Sequence, residues 1–246
     1  LNKILAPTLG VSSTAEVTSG TLYRHTITPR TSDLEVRRPA DSYSIEIFRN
    51  ATSAHLYNGC LFSKVALNIV PNQDLRVTAS ILGITAGVGS ASTATFPGSP
   101  VQPYTWDTCS ISLAGAASVL MEAMTVEFDN QYEAIPVLAN TNENYKVKRG
   151  GAQTIRLSGT LGFEDLTDYN RFTAQTEMAL LLSFTRAASF ECIIDMPRVI
   201  YTAFPVNAGG RERLTVGFEG MVRYSVGSGR AIAIRTVDTR SGYLIG

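Results

Sequence analysis

From Gly59 to Gly83 the sequence reads GCLFSKVALNIVPNQDLRVTASILG, and its apolar and polar residues alternate with a period of two. Successive side chains of a strand point to opposite faces, so this period confines the segment to a sheet. Leu61, Val65, Leu67 and Ile69 fall on one side, with Phe62, Lys64, Ala66 and Asn68 on the other. After the turn residues Pro71, Asn72 and Asp74, Leu75, Val77, Ala79 and Ile81 alternate with Arg76, Thr78 and Ser80. The expectation is a hairpin with one wet face.

A second pair follows the same plan. MTVEFDN places Met124, Val126 and Phe128 opposite Thr125, Glu127 and Asp129, and TIRLSGTLGF places Ile155, Leu157, Gly159, Leu161 and Phe163 opposite Thr154, Arg156, Ser158 and Thr160. Leu75–Ile81 and Ile155–Leu161 agree in residue type position by position, as expected of two related hairpins in one architecture. The connection between the second pair, Gln131–Gly151, is far longer than a usual turn and carries Ile135, Val137 and Leu138, which suits an arm that docks. Ile84–Pro103, rich in Gly, Ser, Thr, Ala and Pro, reads as an irregular insertion.

One short helix is expected in EDLTDYNRFTAQTEM, capped by Asp165 or Thr167, with Leu166, Tyr169 and Phe172 three residues apart. MALLLSF, following it, reads as a strand buried on both faces. SFECIIDM, RVIYTAFPV, ERLTVGFEGMVRYS and RAIAIRTV read as further strands. Residues 1–42 read as an extended N-terminal arm leading into a strand at Tyr43–Phe48, and the 246 residues as one domain.

Chemistry is hard to place in this chain. His25 and His55 lie at no ligand spacing, no GxSxG elbow is present, and the glycine pairs at Gly87 and Gly89, Gly209 and Gly210, and Gly227 and Gly229 form neither GxGxxG nor a P-loop. Cys60, Cys109 and Cys192 are isolated, as expected of buried or half-buried thiols outside any disulfide or zinc site. Glu164 and Asp165 at the helix start are read as capping residues. The expectation is no enzyme, no cofactor and no metal. No apolar run approaches the roughly 20 residues of a membrane helix, and the N-terminal stretch lacks a signal-peptide pattern. Acidic and basic residues balance at 21 each, so no basic excess points to nucleic-acid binding. Charged residues are only 17% of the chain, and a surface so short of charge suits a subunit with partners.

SYSIEIF…HLYNGCLFSKVALNIVPNQDLRVTASILG, then MEAMTVEFDN, then TIRLSGTLGFEDLTDYNRF resembles the tail tube (major tail) proteins of long-tailed bacteriophages. Gly59, Cys60 and Gly83 carry the first part, Val126, Phe128, Asp129 and Asn130 the second, and Gly159, Leu161, Phe163, Asp165, Tyr169 and Phe172 the third, over roughly residues 43–184. The resemblance implies a mostly β, sandwich- or barrel-like subunit whose two hairpins contribute to a multi-subunit inner barrel. It implies hexameric rings stacked into a virion tail tube, assembled in the host bacterial cytoplasm. Its partners would be further copies of itself, tape-measure, tail-tip and tail-terminator proteins, and double-stranded DNA in transient, non-specific passage.

On that resemblance the lumen-facing candidates are Lys64, Asn68, Arg76, Thr78, Ser80, Thr125, Glu127, Asp129, Arg156, Ser158 and Thr160. The candidates for contacts between rings or subunits are Ile135, Val137, Leu138, Tyr145, Lys146, Lys148 and Arg149. A carbohydrate- or peptide-binding β-sandwich, with Trp106 near Tyr104 as a stacking residue, is the alternative.

Overall fold

The computed structural model describes residues 1–29, 42–48, 53–90, 92, 103–118, 120–136, 138, 144–187, 190–206 and 214–239. In chain order the elements are α1 (Asn2–Leu9), β1 (Gly10–Thr18), β2 (Leu22–Pro29), β3 (Tyr43–Phe48), β4 (Ser53–Ile69), β5 (Arg76–Leu82), β6 (Thr85–Ser90), β7 (Cys109–Leu113), β8 (Ala116–Ala117), β9 (Met121–Asp129), β10 (Tyr132–Pro136), β11 (Asn144–Arg149), β12 (Thr154–Gly162), α2 (Thr167–Thr173), β13 (Met178–Ala187), β14 (Phe190–Ala203), β15 (Thr215–Val222) and β16 (Ala233–Asp238). A single-turn 3₁₀ helix, Trp106–Thr108, precedes β7.

Both hairpins expected from the alternation are present, and they join. β4 pairs antiparallel with β5, β9 with β12, and β4 with β9, so four strands run in the order β5-β4-β9-β12, extended by β15. The two similar segments, in β5 and β12, thus flank the central β4–β9 pair symmetrically. The second layer runs β7-β13-β14-β16-β2-β1, all neighbours antiparallel. The layers connect through β14, which pairs with β16 over Glu191–Asp195 and with β15 over Val199–Ala203. One hydrophobic cluster lies between them, with Leu67, Val126, Phe128 and Leu157 on one side and Leu182, Phe184, Ile194 and Met196 on the other. This is a mostly β, sandwich-like fold. Burying a side chain such as Phe128 completely is worth about 1.5–3 kcal/mol, so the alternating faces supply the main driving force.

Several local expectations are corrected by tertiary pairing. Residues 1–29 are not an extended arm: they form α1 and the β1–β2 hairpin, and β2 enters the sheet beside β16. Pro7 and Gly10 look like helix breakers, but Gly10 takes the left-handed C-cap (φ 101°), and α1 is held by burying Leu5, Ala6 and Leu9 rather than by propensity. The chain therefore has a second α-helix besides α2. Thr85–Ser90, in the segment read as irregular, is strand β6, whose backbone pairs with the first half of β4. Within Gln131–Gly151, Tyr132–Pro136 and Asn144–Arg149 pair as the β10–β11 hairpin, and residues 137 and 139–143 lie outside the described residues.

The run MALLLSF buries only one face in β13, since Met178, Leu180, Leu182 and Phe184 are buried while Ala179 and Leu181 are exposed. Phe62, expected on the polar side, joins the core because a register shift between Phe62 and Lys64 changes the parity of β4 there. Farther back in β4, Gly59 takes a φ of +64°, which suits glycine, and lies against Ile84. Two strands expected either side of Pro197 are one strand, β14. Pro197 lies where β14 leaves β16 and meets β15, opposite a register shift in β13, so its missing N–H interrupts no regular ladder.

The cysteines are free. Cys109 and Cys192 flank Phe184 on the two strands either side of β13, about 9–10 Å apart at strand spacing and beyond disulfide reach. Burial pushes the Cys192 thiol up to about 12 and the Cys109 thiol up to about 11, and also raises that of Cys60. The reactive species is the thiolate, so the native protein at pH 8 should react slowly with a chromogenic disulfide reagent, Cys192 last, and all three thiols should react at once in denaturant. Rapid native reaction of all three would contradict this packing.

Candidate functional site

The eleven residues expected to face a lumen share one face of the β5-β4-β9-β12 sheet. Cross-strand registers line them up in rows: Ser80, Lys64, Asp129 and Thr154 in one; Thr78, Ala66, Glu127 and Arg156 in the next; Arg76, Asn68, Thr125 and Ser158 in the third; Thr160 lies beyond, opposite Ala123. The opposite face carries the buried Val65, Leu67, Val126, Phe128, Ile155 and Leu157. The polar face is knitted across strands. Lys64 Nζ is 2.8 Å from Glu127 Oε2, the Thr125 hydroxyl donates to Asn68 Oδ1 (3.1 Å), and Asn68 Nδ2 donates to Thr78 Oγ1 (3.4 Å).

Sequence reasoning missed part of this face. β15 adds Glu219 opposite Ser158, and Met221 opposite Arg156. Glu127, Arg156, Ser158, Thr202, Glu219 and Met221 surround a notch of about 300 Å³. The signal was in TVGFEGMV, where Thr215, Gly217, Glu219 and Met221 alternate with Val216, Phe218, Gly220 and Val222, of which Val216, Phe218 and Val222 are core residues. With β15 included, Lys64, Arg76 and Arg156 are balanced by Glu127, Asp129 and Glu219, so the face carries no net formal charge.

The turn after β9 accounts for the FDN signature. Phe128 is fully buried, Asp129 Oδ1 accepts the Gln131 amide (2.8 Å), and Gln131 takes a φ of 49°. Asn130, with no exposed surface, donates through Nδ2 to Thr8 O (3.0 Å) and Phe62 O (2.8 Å) and accepts at Oδ1 from Gln153 Nε2 (2.7 Å).

Most of the expected contact residues lie on the β10–β11 hairpin. Ile135 is half-buried, opposite the exposed Lys146, and Lys148 is exposed opposite Glu133. Arg149 stacks over Tyr132 at 5.5 Å, and Leu138, between the two strands, is fully exposed. Val137 and the side chain of Tyr145 lie outside the described residues. At the other end of β12, Phe163, Leu166, Tyr169, Phe172, Phe204 and Val206 line an apolar groove of about 430 Å³. α2 forms its wall. Asp165 Oδ1 accepts the Thr167 amide (2.7 Å) as the helix starts, and Asp168 accepts from Arg171 (2.8 Å) and from the Tyr201 hydroxyl (3.4 Å). Burial, together with the Asp168 carboxylate, holds the Tyr201 hydroxyl protonated well above the ordinary range.

The described surfaces are thus a sheet face without net formal charge, a hairpin at one end of β12 and an apolar groove at the other. A family model for phage tail tube proteins matches residues 6–226. The chain belongs to the phage tail tube protein family. The resemblance seen in residues 43–184 is thereby borne out, and the match takes in the N-terminal elements from α1 onwards. No curated protein matches the sequence. As a tail tube family member it is a structural protein of the virion tail that assembles with itself. Among its described residues no helix is long and apolar enough to cross a membrane.

The histidines of this tail tube protein have structural partners. His25, 1% exposed, lies between the Thr14 hydroxyl (2.9 Å) and Asp238 Oδ1 (3.3 Å), and His55 stacks on Tyr57. Trp106 is 46% exposed, but Tyr104 does not form a platform with it. The Tyr104 ring packs on Phe184 and Phe190 while its hydroxyl donates to Glu191 O (3.2 Å). The stacking pair required by the carbohydrate-binding alternative is therefore absent among the described residues.

Proposed function

We propose that this tail tube protein stacks as hexameric rings and that the polar face of β5-β4-β9-β12-β15 lines the lumen through which DNA leaves the particle. In this reading the tape-measure protein fills the lumen before ejection, tail-tip and tail-terminator proteins cap the two ends, assembly takes place in the host bacterial cytoplasm, and the subunit catalyses nothing. The observation that carries it is the balanced charge of that face, three basic against three acidic residues, with Lys64 paired to Glu127. A wall with a surplus of Lys and Arg would neutralise phosphates, release counterions and hold the duplex; a wall of net charge zero lets it slide. The apolar opposite face, packed on the protein's own core, leaves the polar face as the side suited to water.

The test is negative-stain electron microscopy of the concentrated protein, alone and seeded with tail-tip complexes. Tubes of uniform width, built from sixfold rings with a hole wide enough for duplex DNA, are expected. Particles that remain monomeric even when seeded would overturn the reading.

A further inference from the structure

The two contact features lie at opposite ends of one strand. β12 begins at Thr154, directly after the β10–β11 hairpin, and ends at Gly162, where Phe163 opens the apolar groove beside α2. Nine residues of strand put roughly 30 Å between those ends. The groove leaves apolar surface in water, with Leu166 58% and Tyr169 37% exposed. The hairpin segment ends its first strand near a leucine that is entirely in solvent, Leu138. Neither arrangement favours an isolated chain, because both leave apolar area uncovered.

The charges of the two ends are opposite. Beside the groove, Glu164, Asp165 and Asp168 stand against Arg171, a formal net charge of −2. Residues 131–151 carry Lys146, Lys148 and Arg149 against Glu133 and Glu143, a formal net charge of +1. A patch on one end that complements a different patch on the other end makes a heterologous contact, and repeated along the strand direction such a contact builds an open stack rather than a closed dimer. We infer that the apolar groove beside α2 receives the Leu138 end of the β10–β11 hairpin from a second copy of this chain in the next ring, with the basic hairpin against the acidic rim. The inference rests on the tube reading and names the partner of its ring-to-ring surface. Opposite charges steer the two ends together, and burial of Leu138 among the aromatic rings of the groove supplies the hold.

Cross-linking separates the alternatives. In tubes assembled from the Leu138→Cys/Leu166→Cys double variant, a short bismaleimide should produce a covalent ladder that continues past six chains, since the bonds run along the tube. Each single variant, treated in the same way, should give none. A ladder that stops at six would mean that the hairpin reaches its neighbour within the ring, and would overturn the inference, as would tubes that yield no ladder. Leu138→Asp, checked for an unchanged circular dichroism spectrum, should raise the concentration at which tubes form on the order of tenfold or more. Tube formation at the wild-type concentration would also count against it. Failure of the wild-type protein to form rings or tubes under seeding would be seen separately in the micrographs, and would remove the tube reading itself.

Discussion

Gly159→Val is expected to lower the stability of the folded chain by about 3–5 kcal/mol, a large share of a typical domain's total. Gly159 occupies a core-facing position of β12, between Leu157 and Leu161, yet it has no room for a side chain. A Cβ built there would lie 2.2 Å from the Ala123 carbonyl oxygen and 2.9 Å from two ring carbons of Phe218. The oxygen belongs to backbone, so relief requires β9 and β12 to separate, and Phe218 must leave the place it holds across from Gly159. Gly217 supplies the contrast. It lies on β15 opposite Thr160, and a Cβ there would meet nothing nearer than the Gly159 carbonyl oxygen at 3.9 Å. Gly217→Ala should therefore be neutral or stabilise by up to about 1 kcal/mol, because it removes freedom from the unfolded chain. Denaturant midpoints at unchanged slope report both values. A Gly159→Val protein that unfolds at the wild-type midpoint would refute the close packing of Phe218 over β12.

Gly159 also shows where the sequence was legible and where it was not. The period of two assigned its face correctly, because register in a half-buried sheet is set by which side chains must leave water. The same rule gathers Lys64, Asn68, Arg76, Thr125, Glu127, Arg156 and Ser158 on one face, as the registers place them. It failed where pairing, not side-chain pattern, makes the strand. β6 contains Gly87 and Gly89 and pairs through its backbone, with Gly89 against Leu56. β14 continues through Pro197 because two different neighbours share its length. α1 forms despite Pro7 because its apolar residues fill the space between β4 and β2.

The contact surfaces were less legible for a related reason. Leu166, Tyr169 and Phe172 were readable as a helical stripe, but Phe204 and Val206, over thirty residues later, complete the groove only once β14 has brought them beside α2. Glu219 stands in a strand as regularly alternating as β9, but only its pairing with β12 puts it on the same face as Ser158. Local patterns expose faces, whereas sites that converge from separate elements need the topology.

Asn130 is the second position where a single change should be severe. Its amide satisfies two carbonyl oxygens from distant segments, Thr8 at the end of α1 and Phe62 in β4, and its own oxygen is satisfied by Gln153. Its backbone N–H donates to Ser63 O (2.8 Å), so the residue ties α1, β4, the end of β9 and the start of β12 at one fully buried point. Asn130→Leu deletes both donated bonds, takes the side-chain donor from Phe62 O and leaves Thr8 O with only the longer bond from Gln153 Nε2 (3.3 Å), an expected loss of about 2–4 kcal/mol. Gln153→Ala removes the donor to Asn130 Oδ1 and to Thr8 O, which keeps its bond from Asn130, and should lose about 1–2 kcal/mol. Asn130→Asp discriminates further, since it keeps the shape but turns an oxygen towards the Thr8 and Phe62 carbonyls. A carboxylate held against two carbonyl oxygens favours its proton, so its folded-state pKa lies above the unfolded value of about 3.9. A raised folded-state pKa means stability that is present at low pH and is lost as pH rises through it. The deficit of the Asp variant relative to wild type should therefore widen from acid towards neutral pH, while that of the Leu variant stays constant across the same series. Equal, pH-independent deficits for Asp and Leu would show that the amide does not hold the two carbonyls as described.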